Sequence, residues 1–398
     1  MEKSEQHFSE NLSITSGKET QSHKSARTTY SEPLLVDLLL DIFSRVPTKS
    51  IARFRCVSKF WQYKFGLPYF TELFLSKSST RPRLLFTLYS IYDGKLFFYS
   101  APQPHNPDKN SSLVATRYHM SSRKNVPCVY CTPVCGLTFL HEGGEVIRKV
   151  ICNPITGKFL TLPRVVLKSP HTENAYISRF CFGYDPISKQ FKLLCMISSL
   201  CEGPNTHQVL TLESGKRFWR RIGFAFDFVE YSRVHGQICI DGVLYFGANM
   251  EDTSVIVCFD VRSEKFDFIN LDKDMMKAHE YESLTLINYK GKLGIHERIN
   301  NVKELVLWVM EDAGNHKWSK QTYQVPTSIR EKLFVGMTAT GDIVWSSYIN
   351  GNKSKPYCVY FYNLERGTFT SVTIQGFEEF ECRSVHTFIH YVENLKFM

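Results

Sequence analysis

The chain has 398 residues, 43% hydrophobic and 14% aromatic, enough apolar surface to fill the cores of more than one domain. Its formal charge of +9 comes from 48 Lys and Arg interrupted throughout by 39 Asp and Glu, so the charge is read as solvated surface and nucleic acid is not an expected partner. No apolar run reaches membrane-spanning length, and Met1 to Thr29 is polar throughout, which argues against a membrane span or signal peptide and predicts an intracellular protein of nucleus or cytosol.

Residues 1–29 are rich in Ser, Thr, Glu and Lys, too polar to offset the entropy of ordering, and are expected to be a disordered tail. Residues 30–78 carry helical periodicity. Leu34, Leu35, Leu38, Leu39, Ile42, Phe43 and Val46 recur at three- and four-residue steps until Pro47, which stops the first helix. Thr48 is placed to cap a second helix through Ile51, Phe54, Ser58, Trp61 and Phe65, and a break near Val57 also fits the pattern. Arg53, Arg55, Lys59 and Lys64 fall mainly on its other side. Pro68 opens a short amphipathic stretch through Phe70, Leu73, Phe74 and Leu75, and the helical region ends by about Ser79.

Residues 79–398 form the second domain. Short β-type runs such as Arg83 to Tyr89 and Ser254 to Phe259 are separated by Asp-Gly, Asn-Pro and Lys-Gly turns, with no convincing long helix between them. Most of the 12 cysteines lie in such runs, Cys239 and Cys258 among them, and are expected to be buried thiols in a reducing compartment. A weak repeat of about fifty residues organises the domain. Glycine two residues before an apolar or aromatic side chain recurs at Gly242, Gly291 and Gly341, with Gly94 and Gly136 in the same register. An acidic residue or Asn with an aromatic six positions later recurs at Asp260/Phe266, Asp312/Trp318 and Asn363/Phe369. The same step occurs at Asn153/Phe159, Asp185/Phe191 and Glu213/Trp219. A polar turn residue followed by an aromatic returning to the core is what the hairpins of a four-stranded blade require. The period predicts a kelch-like β-propeller of about six blades, the third the least regular.

Pro33-Leu-Leu-Val-Asp-Leu-Leu-Leu-Asp-Ile-Phe-Ser-Arg-Val-Pro47, continuing through Arg53-Phe-Arg-Cys-Val-Ser-Lys-Phe-Trp61, resembles the F-box of the large plant F-box family, with Leu34-Leu35 where the family usually has Leu-Pro or Ile-Pro. Cys152-Asn-Pro-Ile-Thr-Gly157, Phe182-Gly-Tyr-Asp-Pro186 with Phe191-Lys-Leu193, and Arg217-Phe-Trp-Arg220 are similar to signatures of its F-box-associated domain. The resemblance implies a non-catalytic substrate-recognition subunit of an SCF-type ubiquitin ligase. The F-box would bind a Skp-type adaptor and, through it, a cullin and a RING protein, while the β domain would bind an unidentified target. Leu35, Leu38, Ile42, Phe43, Val46, Val57 and Trp61 are assigned to the adaptor contact or its immediate support. Phe54 and Phe65 suit internal packing equally well. Independently of the resemblance, a helical segment of this size with apolar residues on more than one face cannot bury them alone.

Two other readings remain open: a propeller enzyme, and an F-box scaffold acting outside ubiquitination. No P-loop, nucleophile elbow, His-Glu-x-x-His or dinucleotide fingerprint occurs, so no catalytic, cofactor-binding or metal residue is nominated. Cys128-Val-Tyr-Cys131 with Cys135 and His141 has one zinc-like spacing but no clear second pair. His207, His235 and His386 are candidates to line a propeller mouth. Lys216 to Arg221 mixes basic and aromatic residues, and is read as a hairpin with Phe218 and Trp219 packed and the charges in water.

Overall fold

The computed structural model describes residues 36–90, 95–108, 111–118, 130–141, 149–165, 175–199, 207–213, 215, 217–223, 233–250, 253–276, 283–298, 304–329, 331–348, 356–376 and 384–396. The tail expected at residues 1–29 lies outside them, as do Leu34, Leu35, Gly94, Cys128 and Lys216.

Four helices come first: α1 (Val36–Phe43), α2 (Thr48–Val57), α3 (Lys59–Gly66) and α4 (Pro68–Ser79). α1 stops before Pro47 because its last turn tightens, with Arg45 and Val46 donating to the Ile42 and Phe43 carbonyls at 3.1 and 3.3 Å. Pro47 is the residue before α2, and Thr48 is the first helical residue rather than the expected cap. The second helix does not run on to Phe65 as one piece; it ends at Val57, where the alternative break lies. Ser58 is extended and its hydroxyl accepts the Trp61 N–H at 3.2 Å, capping α3. Pro68 occupies the first turn of α4. Leu40, Ile51, Phe65, Phe70 and Phe74 form the core between the helices.

Among the described residues that follow, six sheets form, each with four antiparallel strands and two of them with one added parallel edge strand. Lettering strands A to D from the centre outward, blade II is Tyr130–Val134, Leu137–His141, Lys149–Asn153 and Lys158–Thr161, and blade III is Ala175–Asp185, Gln190–Ser199, His207–Thr211 and Arg220–Ile222. Blade IV is Gln237–Ile240, Val243–Met250, Thr253–Asp260 and Phe266–Asn270, and blade V is Ser283–Tyr289, Lys292–Arg298, Glu304–Asp312 and Lys317–Gln324. Blade VI is Leu333–Met337, Asp342–Ser346, Tyr357–Asn363 and Thr368–Gln375. Blade I joins the two ends of the domain: its A strand is the last one, Ser384–Tyr391, beside Arg83–Ser90, Lys95–Pro102 and Thr116–Arg117. The six A strands touch one another in a closed ring. This is the six-bladed propeller that the repeat predicts.

Blade strands are apolar on both faces because each sheet is covered on both sides. Leu84, Phe86 and Leu88 face blade VI, whereas Leu85 faces blade II, so alternate residues of one strand serve two cores. One such cluster fills each gap between neighbouring blades. Ser111–Val114 adds a parallel strand outside blade VI before the chain returns to blade I, a second tie across the closure.

The repeats fall at the hairpins. Gly136, Gly242, Gly291 and Gly341 lie in A–B turns. Gly291, at φ +91 after Lys290 at φ +50, has the doubly left-handed backbone of a tight hairpin that glycine tolerates best. Asp260, Asp312 and Asn363 open C–D turns and accept the N–H three residues on, at 2.5, 3.2 and 2.9 Å. Asp185/Phe191 has the same spacing but spans the A–B turn of blade III, where Lys189 at φ +56 stands in place of the repeated glycine. That substitution is why the third repeat looks irregular.

Antiparallel order fixes two faces. A–B and C–D turns emerge on one, and B–C and D–A connections on the other. The helices join the first face, because α4 leads into Arg83, which pairs with Tyr391 at the A–B edge of blade I.

Candidate functional site: the helical module and its seat on the propeller

The expected contact residues divide into two sets. Leu38, Ile42 and Val57 are 48%, 46% and 73% exposed, and Phe60 and Tyr63 on α3 join them in facing solvent. Leu38 and Ile42 are one helical turn apart on the same side of α1. Phe43, Val46 and Trp61 instead lie half-buried against the helical core, with Phe54 beside them and Phe65 inside it. The Phe43 ring meets Phe54 at 4.9 Å, Trp61 at 4.9 Å and Phe65 at 5.1 Å, so these aromatics lock α1 onto α2 and α3. Leu35 lies outside the described residues. Sequence periodicity missed Leu40, the fully buried leucine of α1. Three consecutive leucines at 38–40 satisfy several faces at once, and only the packing partner distinguishes them.

Asp41 ties α1 to α4. Hydrogen bonding to Arg45 at 2.9 Å, opposed by desolvation and aided by Lys77 at 3.3 Å, holds its carboxyl below the ordinary range. Arg81, just past α4, donates to the Arg45 and Ser44 carbonyls at the end of α1 at 2.6 and 3.4 Å.

The seat of the module comes largely from the far end of the sequence. Leu395 is 2% exposed and packs among Leu40, Ile51, Phe65, Phe70 and Phe74. The Glu393 carboxylate accepts the Thr48 hydroxyl and the Tyr118 hydroxyl, each at 2.8 Å, with Arg83 Nε at 3.8 Å. Its backbone N–H donates to Ser78 Oγ at 2.7 Å. Burial, reinforced by the Glu393 charge, drives the Tyr118 phenol far above its ordinary pKa, so it remains a hydrogen-bond donor. Asn394 Nδ2 donates to the Cys135 carbonyl at 2.8 Å, and Asn153 Nδ2 donates to the Asn394 and Lys396 carbonyls at 2.8 and 2.7 Å. Lys396 pairs with Glu213 and lies over the Phe191 ring. A further ion pair joins Glu72 of α4 to Lys189 in the A–B turn of blade III.

That turn is itself anchored. Asp185 receives Arg262 of blade IV at 3.0 and 3.2 Å and the N–H groups of Ile187 and Ser188, both at 3.0 Å. Desolvation opposes its ionisation, but these hydrogen bonds together hold the carboxyl well below the usual carboxylate range.

The opposite propeller face is free of the helices. Among the described residues near it, Tyr176, Leu333 and Tyr348 are exposed, and so are His235 and His386 on inner strands. His207, the third histidine expected at the mouth, is instead buried beside Phe266 between blades III and IV, because it sits on a C strand. Of the basic and aromatic hairpin, Trp219 packs and donates to the Pro163 carbonyl at 2.9 Å, and Arg220 pairs with Glu264 at 2.5 Å. Phe218 is 63% exposed rather than packed, ahead of the strand that begins at Arg220.

Among the described residues, no three His, Cys, Asp or Glu are grouped to hold a metal ion. Cys135, the described thiol of the zinc-like spacing, is pushed up to about 12 by burial and the neighbouring Cys239, which disfavours the thiolate a metal needs.

Comparison with known proteins adds two family matches: residues 34–72 match a model described as F-box domain, and residues 83–392 one described as F-box associated beta propeller domain. A putative F-box protein of Arabidopsis thaliana is 45% identical over 403 residues, covering all of both chains. A second F-box protein of that plant is 44% identical, covering 91% of this chain and 81% of its own length, and F-box protein DOR, also from Arabidopsis thaliana, is 41% identical, covering 92% and 94%.

Proposed function

This chain belongs to the F-box proteins that carry an F-box-associated β-propeller, and from that premise we propose that it is the substrate receptor of an SCF-type ubiquitin ligase. The helical module binds a Skp-type adaptor, which links it to a cullin and a RING protein. The propeller binds the target. The chain has no catalytic step of its own in this reading. It raises the effective concentration of target near the ubiquitin-carrying enzyme, so that an encounter in solution becomes nearly intramolecular.

The observation that supports this reading most is the exposure of Leu38, Ile42 and Val57 on a module whose own core is filled by other side chains. Apolar groups left in water beside a completed core suit a partner rather than the fold. Phe43, Val46 and Trp61 act beneath them by fixing the helices that present them. The target is assigned to the B–C and D–A face, because the helices occupy the other one. A target held there stands across the propeller from the adaptor, and the two do not compete for space.

Affinity purification of the full chain from plant cells with the proteasome inhibited tests the assignment. Adaptor and cullin are expected with the wild type, and both should be lost from a folded Leu38→Ala/Trp61→Ala variant while target proteins remain. Adaptor recovered without cullin would contradict the ligase reading, and undiminished adaptor with the variant would contradict the residue assignment.

A further inference from the structure

The last described residues follow the propeller's closing strand without a break and run directly into the helical module. Ser384–Tyr391 is the A strand of blade I, held by Arg83–Ser90. Residues 392–396 then cross the A–B face over blades II and III. They contribute three kinds of contact. Leu395 is part of the helices' own apolar core. Glu393 joins Thr48 at the start of α2 to Tyr118 and Arg83 of blade I. Asn394, 2% exposed, is bound to blade II through Cys135 and Asn153.

The fit at blade II is close on both sides. A Cβ at Gly136 would lie 2.5 Å from Asn394 Cβ and 2.6 Å from the Val392 carbonyl oxygen, so this turn leaves room for the crossing segment only because it carries glycine. Asn394 also folds the segment on itself, its Oδ1 accepting the Lys396 N–H at 2.8 Å. The buried Asn153 and Asn394 amides make this a fixed path, since the N–H groups of each would lose their carbonyl partners if the segment lifted.

We propose that residues 392–396 are a clasp that makes both the core and the orientation of the helical module conditional on closure of the propeller. A helical segment of fewer than fifty residues buries too little surface to be robust alone. Here a side chain from the far end of the propeller, Leu395, completes its core, and that side chain is delivered only when the final strand has paired beside Arg83. An open or misassembled propeller therefore presents the helices loose and incompletely packed. A closed one presents them at a single angle. The device couples a folding check on the recognition domain to the availability of the helices, and does so whatever partner they bind.

Hydrogen exchange and small-angle scattering on the full chain test this without reference to any adaptor. Two variants are needed. One ends at Tyr391, and the other, Glu393→Gln/Leu395→Ala, keeps the whole chain and the closing strand. In both, amide protection in α1 to α4 is expected to fall at least tenfold while blades III to V retain theirs, and the maximum dimension in scattering should increase as the helices swing free. Wild-type protection of the helices in a folded Glu393→Gln/Leu395→Ala variant would overturn the proposal. Equal loss of protection across all six blades and the helices in that variant would also overturn it, since it would make the segment a general stabiliser of the propeller rather than a clasp on the helices.

Discussion

Replacing Gly136 with alanine probes the junction between the two domains with a single methyl group, and Gly291→Ala is its internal control. Both glycines sit in A–B turns with left-handed backbone, at φ +82 and +91. An L-residue there costs about 1 to 2 kcal/mol from backbone sterics alone. At Gly291 nothing lies within 4 Å of the added Cβ, so that cost should be the whole effect. At Gly136 the methyl would sit 2.5 Å from Asn394 Cβ and 2.6 Å from a backbone oxygen, which cannot be relieved by turning a side chain. The segment at 392–396 must lift. Lifting it breaks the hydrogen bonds of Asn394 with Cys135 and Asn153, at about 1 kcal/mol each, and exposes Leu395, at about 1.5 to 3 kcal/mol. Gly136→Ala should therefore lose roughly 3 kcal/mol or more beyond Gly291→Ala in equilibrium denaturation of the full chain, with the excess localised by hydrogen exchange to α1 to α4 and residues 392–396. Two variants within about 1 kcal/mol of each other would refute the reasoning, because they would show that only the backbone angle matters at these turns.

Two further predictions concern pH. Burial, with a smaller contribution from Arg298, pushes His296 down to about 4, so the folded chain keeps it neutral while the unfolded chain protonates near 6.5. Its contribution is fully present above pH 6.5 and is lost as pH falls toward 4, on the order of 3 kcal/mol, and His296→Leu should flatten the stability profile in that window; an unchanged acid slope would count against a buried neutral imidazole. Asp185 behaves in the usual carboxylate direction, its stabilisation present above about pH 4 and lost as pH falls below the unfolded value. Asp185→Asn should lower stability at neutral pH and reduce the dependence below pH 4, measured by denaturation from pH 5 to 2, and an acid limb as steep as that of the wild type would argue against the Arg262 bridge as its source.

Legibility in the sequence followed the range of the interactions. The helical region and the blade turns are readable because their causes are local: periodicity, a proline, and glycines or Asx residues at hairpins; the Ser58 break is legible only as an alternative to a continuous helix. Where one local signal has two structural origins the reading blurred, as with Asp185/Phe191, whose spacing matches C–D turns but spans an A–B turn. Thr48 shows the same limit. A threonine after proline suits a cap, but its hydroxyl goes to Glu393, 345 positions later. The seat of the module was invisible for that reason. Residues 392–396 carry no periodicity, and the contacts that tie them to the helices and blades are long-range. Among the expected partner residues, Leu38 and Trp61 looked equivalent as apolar positions on helical faces, and only packing separates the exposed one from the one that supports it.

Leu38 and Ile42 are the pair on α1 that the proposed adaptor contact would cover. Each is about half exposed, so covering the remainder is worth roughly 1 to 1.5 kcal/mol per side chain, and together about 100-fold in affinity. Calorimetric titration of a Skp-type adaptor into the full chain and into Leu38→Ala/Ile42→Ala measures this. A loss of about two orders of magnitude with unchanged thermal stability is predicted, and wild-type affinity in the folded variant would contradict the assignment of this surface.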